Sequence, residues 1–68
     1  MTTREALAEI KDEIKDDGIE LTIWGFRGLI ERGVIAKPRL NSSLQWDWTP
    51  RDVCAAVQCI REREAARA

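Results

Sequence analysis

The chain has no histidine and no tyrosine, one phenylalanine, one methionine and only two cysteines in 68 residues. Without histidine it lacks the most frequent general base and the most frequent neutral metal ligand. Cys54 and Cys59 lie on what reads as one helix, on different faces and too far apart for a disulfide. A zinc centre would have to be built almost wholly from carboxylates, which zinc uses less readily, so no metal and no cofactor is expected. No nucleophile has a recognisable base beside it and no phosphate-binding glycine loop is present, so no catalytic residue is assigned and an enzyme is not expected. No apolar run approaches the roughly 20 residues that cross a bilayer. The opening Met-Thr-Thr-Arg-Glu-Ala also lacks the basic-then-apolar order of a secretory leader. A cytoplasmic chain without a membrane partner is the expectation.

What is present is charge, unevenly distributed. Charged residues make up 34% of the chain and the net charge is only −1, but residues 1–20 hold seven acids and three bases while residues 21–68 hold five acids and eight bases. Between Leu21 and Pro50 the bases Arg27, Arg32, Lys37 and Arg39 face only Glu31 and Asp47, which makes the middle of the chain its basic part.

Apolar periodicity divides the chain into three helices and a hairpin, and the length suits one domain, 1–68, with one modest core. Leu7, Ile10 and Ile14 recur at helical spacing, with early acids at Glu5 and Glu9 and a stop at Gly18, predicting a first helix over about 3–17. Its outer face, Asp12, Glu13, Asp16 and Asp17, is acidic, and a solvated surface is the ordinary explanation. Thr22 is the N-cap of a second helix over about 22–32, in which Ile23, Phe26 and Ile30 form the inner stripe with Leu29 at its edge. Gly25 and Gly28 inside it each cost roughly 1 kcal/mol relative to alanine. Their absent side chains would admit another backbone, a neighbouring helix more commonly than a phosphate strand.

Gly33 ends that helix, and Pro38 prevents its resumption. Pro38, Asn41, Ser42 and Ser43 between short apolar pieces predict a two-stranded wing over about 36–48, with strands near 36–40 and 44–48. Thr49 as N-cap, Pro50 in the first position and Asp52 in the third open a third helix over about 50–65, with Val53, Ala56, Val57 and Ile60 inward and an exposed, frayed end. Trp48 is expected to pack between the wing and the third helix, and period two puts Trp46 on the same face. Trp24 lies off the inner stripe of its helix, either packed on the first helix or exposed for a partner.

The fold class is therefore mainly α, three helices with a short two-stranded β-hairpin wing between the second and third. A helix with Thr22, Trp24, Arg27 and Glu31 on its outer side can enter a major groove, where arginine pairs with guanine or reaches phosphate. Lys37 and Arg39 at the base of the wing, and Asn41, Ser42, Ser43 and Gln45 near its tip, suit phosphate and minor-groove contacts. Ordinary loop polarity is the competing explanation for the tip.

The stretch from Thr22 to Arg39 resembles the DNA-binding domain of the MerR family and the related excisionases. There a serine or threonine opens the recognition helix and an arginine follows five residues on. The helix then closes on a glycine and two hydrophobic residues before a proline and an arginine. Thr22, Arg27, Gly33, Val34, Ile35, Pro38 and Arg39 stand in those places, and Trp48-Thr-Pro-Arg-Asp-Val is similar to the family's step from wing to next helix. The resemblance covers about residues 18–60. It departs at Gly28 and Leu29, where the family has an aromatic pair, at Trp46, where it has a basic wing residue, and in a longer first helix.

The resemblance implies a winged helix-turn-helix that binds double-stranded DNA sequence-specifically, as a transcriptional regulator or an excisionase-like accessory factor in a bacterial or phage nucleoid. No long dimerising heptad follows the third helix, so a stand-alone domain that gains specificity from adjacent sites, through self-association or a protein partner, is expected. Gly25-Phe-Arg-Gly28 also matches the Gly-x-x-Gly of KH RNA-binding domains, but the order of elements around it fits poorly. The main rival is a protein-interaction module that uses the acidic first helix and Trp24 without binding DNA.

Overall fold

The computed structural model describes residues 1–67. Helix α1 spans Thr3–Ile14 and is followed by a 3-10 turn, Lys15–Asp17, so the last turn of the expected 3–17 helix is tightened. Its start is a capping box: Thr2 Oγ1 accepts from the Glu5 N–H at 3.2 Å, and Glu5 Oε1 accepts from the Thr2 N–H at 2.9 Å. Gly18, with φ +71°, closes the segment through Gly18 N–H to Lys15 O and Ile19 N–H to Ile14 O.

Helix α2 spans Ile23–Glu31, with Thr22 as N-cap. It ends in the paired bonds of a Schellman motif: Gly33 donates to Ile30 O and Val34 to Leu29 O, with Gly33 at φ +79°. The chain then turns past the buried Pro38 into two antiparallel strands, β1 Arg39–Leu40 and β2 Trp46–Asp47, in register Arg39↔Asp47 and Leu40↔Trp46. These strands are two residues each, shorter than the expected 36–40 and 44–48. Pro38 has no N–H for a ladder. At the other end the side chain of Asn41 takes the N–H of Gln45, which a longer ladder would use, together with that of Ser43 at the tip of the turn.

Helix α3, Pro50–Arg67, starts on reciprocal bonds between Thr49 and Asp52 and runs two residues beyond the expected 50–65. The sequence from Arg61 to Arg67 is rich in strong helix formers, so the helix continues where little of it is buried.

The core is one cluster drawn from all three helices and the segment around the wing. Ala6, Leu7, Ile10 and Ile14 of α1 meet Phe26, Leu29 and Ile30 of α2 and Val53, Ala56, Val57 and Ile60 of α3, with Ile35 and Trp48 closing it. Leu29, placed at the edge of the stripe by its spacing, is buried. Trp48 is only 1% exposed, and its ring lies 5.2 Å from that of Phe26 at a tilt of 34°. Trp48 thus meets α2 at Phe26 and the start of α1 at Thr3, within the cluster to which α3 also contributes. Trp46 is half-buried at the edge of the same cluster, in keeping with its period-two relation to Trp48. Cys54 and Cys59 are both free thiols. No helix among the described residues is long and apolar enough to cross a membrane.

Candidate nucleic-acid interface

Because Phe26, Leu29 and Ile30 anchor α2 in the core, helical geometry turns Trp24, Arg27 and Glu31 outward, and all three are exposed. Trp24 is 76% exposed, which removes the expectation that it packs on the first helix. Thr22 Oγ1 accepts from the Gly25 N–H at 3.1 Å, so its acceptor function is used by the cap while its O–H remains a donor.

The two internal glycines lack the internal reason that close packing would supply. A Cβ on Gly28 would meet only the Arg32 guanidinium, at 3.8 Å, and one on Gly25 only the side chains of Thr22 and Leu21, at 3.4 and 3.7 Å. Among the described residues no backbone of another element approaches either position, which corrects the expectation of close helix packing. The α2 surface around them is open.

The wing tip is held by one side chain. Asn41 Oδ1 accepts from the N–H groups of Ser43 at 2.9 Å and Gln45 at 3.1 Å, while the backbone closes through Asn41 N–H to Gln45 O and Leu44 N–H to Asn41 O. Asn41, itself exposed, therefore shapes the loop through its amide oxygen. Ser42, Ser43 and Gln45 are exposed, as are Lys37 and Arg39 at the wing's base.

Arg27, Asn41 and Gln45, far apart in sequence, line one open cleft of about 700 Å³ between α2, the wing and the start of α1. The cleft does not include Thr22, Trp24, Lys37, Arg39, Ser42 or Ser43. It does include Arg4 and Leu44, which the sequence reading missed. Arg4 sits on the acidic α1, so no local pattern marks it. Leu44 falls at the start of the expected second strand, 44–48, and is 79% exposed.

The chain matches no family model, no characterised protein and no solved structure.

The electrostatics separate the two halves of the molecule. The side-chain ion pairs among the described residues both draw on α1 and the turn after it: Lys15 with Asp12 at 2.9 Å and Arg61 with Asp17 at 2.8 Å. Arg61 Nη2 also donates to Glu13 O at 3.0 Å. These contacts hold the Arg61 and Lys15 charges more firmly, the hydrogen bond to Asp17 and to Asp12 respectively being the largest cause. By contrast Arg27, Lys37 and Arg39 have no ion pair among the described residues. The acidic side is thus partly neutralised from within.

Proposed function

We propose that the chain binds double-stranded DNA sequence-specifically, with the outer face of α2 in the major groove and the wing alongside, in transcriptional control or as an excisionase-like accessory factor. The observation that carries this reading is the convergence of Arg27 with the wing residues Asn41 and Gln45 on one open cleft that also holds Arg4, both arginines having no ion pair among the described residues. Arg27 is the base-reading or phosphate-gripping residue, Thr22 donates its hydroxyl to a phosphate, and Lys37 and Arg39 supply further phosphate contacts. The open surface at Gly25 and Gly28 suits close approach of a sugar-phosphate strand. A MerR-like or excisionase-like relationship agrees with the Thr22 cap, the Gly33 stop and the hairpin between α2 and α3.

Two observations favour a second reading, a protein-interaction module. Trp24 is 76% exposed, and the acidic Glu9, Asp12 and Glu13 line a second open cleft, of about 850 Å³, against α3.

Mobility shift with salt titration separates the two. DNA binding through these bases gives an affinity that falls steeply with added salt and is lost in Arg27→Ala, whose exposed side chain leaves the fold intact. Absence of a DNA shift at low salt, with salt-insensitive binding to a protein, contradicts the first reading.

A further inference from the structure

Leu44 combines two unfavourable features. It is 79% exposed, and it is the one non-glycine residue among those described with a left-handed backbone, at φ +58°. Branched or bulky side chains rarely occupy that region, where asparagine or glycine is the usual choice. The conformation is imposed by the turn around it, through the bonds of Asn41 to Ser43 and Gln45 and the Leu44 N–H to Asn41 O. An asparagine at position 44 would satisfy the same turn with a polar surface, so the fold itself has no use for an apolar group there.

The surroundings select the kind of partner. Leu44 shares its cleft with Arg4 and Arg27, which have no ion pair among the described residues. The carboxylates of that cleft are engaged: Glu5 in the α1 capping box and Asp47 toward the Met1 ammonium at 3.4 Å. The adjoining loop residues Asn41, Ser42, Ser43 and Gln45 are uncharged hydrogen-bonding groups. An exposed leucine, with the apolar Met1 and Trp46 in the same cleft and set among arginines without an ion pair and neutral hydrogen-bonding groups, complements a polyanion with an apolar interior, a description that fits stacked base pairs behind a phosphate wall.

Resting on the DNA-binding reading above, we propose that Leu44 is a minor-groove wedge. With α2 in the major groove, the wing tip inserts the Leu44 side chain between two base pairs, partly unstacks them and bends the duplex away from the inserted side. Wedges of this kind bend DNA by about 20–90°. The insertion favours flexible pyrimidine–purine steps, so part of the sequence preference comes from deformability, without a hydrogen bond to a base.

The test uses the full chain and a short duplex rich in pyrimidine–purine steps, labelled with donor and acceptor dyes at its ends, at low salt. Binding of the natural protein is expected to raise energy transfer between the ends. Leu44→Asn is expected to fold at least as well, because asparagine tolerates the left-handed backbone, to bind on the order of tenfold more weakly, the scale of one buried leucine, and to leave the duplex straight. Leu44→Met, which keeps an apolar side chain of similar length, is expected to retain the bend. Binding without a bend, an equal bend with Leu44→Asn, or loss of the bend in both variants overturns the wedge and leaves DNA binding standing. Failure of the natural protein to bind any duplex at low salt overturns both.

Discussion

The indole Nε1 of Trp48 donates to the hydroxyl of Thr3 at 3.1 Å, tying the exit of the wing to the first turn of α1 across 45 residues of chain. The bond satisfies the polar atom of an almost wholly buried side chain, and the backbone reinforces it, since the Trp48 N–H donates to Met1 O at 3.0 Å. Thr3→Val removes the acceptor, leaves the indole N–H unpaired and should destabilise by about 1–3 kcal/mol. Trp48→Ala also deletes the ring that packs on Phe26 and should cost about 3–5 kcal/mol, a large fraction of the stability of so small a fold. Urea denaturation followed by circular dichroism measures both. A Thr3→Val protein as stable as the natural one would mean that the bond contributes nothing.

Gly28→Ala should raise stability by up to about 1 kcal/mol, because the new methyl meets only the Arg32 guanidinium at an ordinary contact distance and the helix loses an entropic penalty. If α2 approaches a sugar-phosphate strand, the same substitution weakens DNA binding. Thermal melting and DNA titration of one variant would then move in opposite directions. Equal affinity with a raised melting temperature leaves the glycine without a role in binding.

The Glu5 carboxyl is held below its ordinary range, first by the Thr2 backbone N–H and then by the Thr2 hydroxyl. A depressed folded-state value means that the charged cap stabilises α1 above the usual carboxylate range and loses that effect as pH falls through the lowered value. The natural protein should therefore lose melting temperature on acidification below about pH 4.3, the usual glutamate value. Glu5→Gln should lose less over the same interval. Parallel pH–melting curves for the two proteins would contradict the assignment.

Trp24→Ala should leave stability within about 0.5 kcal/mol, since the side chain is 76% exposed. Any change in binding to DNA or to a protein then reports the surface itself. A clear loss of stability would show that the indole packs in solution.

Much of the fold is readable from local chemistry. Gly33 and Gly18 adopt the left-handed stops expected of them, Thr22 and the Thr49–Asp52 pair cap the helices they precede, and the apolar stripes of α1 and α3 face inward. These signals depend on residues a few positions apart, so one sequence is enough to read them. The wing was less legible. The strand pattern around Leu44 does not reveal that Asn41 takes up the N–H groups of Ser43 and Gln45 and forces a leucine outward. Arg4 joins Arg27 only through the packing of α1 against the rest of the fold, a long-range relation with no periodic trace. The glycines of α2 are hard to read for the opposite reason: their cost is local, but whether a neighbour compensates it depends on the assembled surface.

Whether the α2 face and the wing read double-stranded DNA is decided by selecting bound sequences from a random duplex pool with the natural protein and with Arg27→Ala. The natural protein should enrich a short motif, repeated at regular spacing if copies sit side by side, and Arg27→Ala should lose that enrichment. A pool that remains random after selection with the natural protein, or an identical motif recovered with Arg27→Ala, would contradict it.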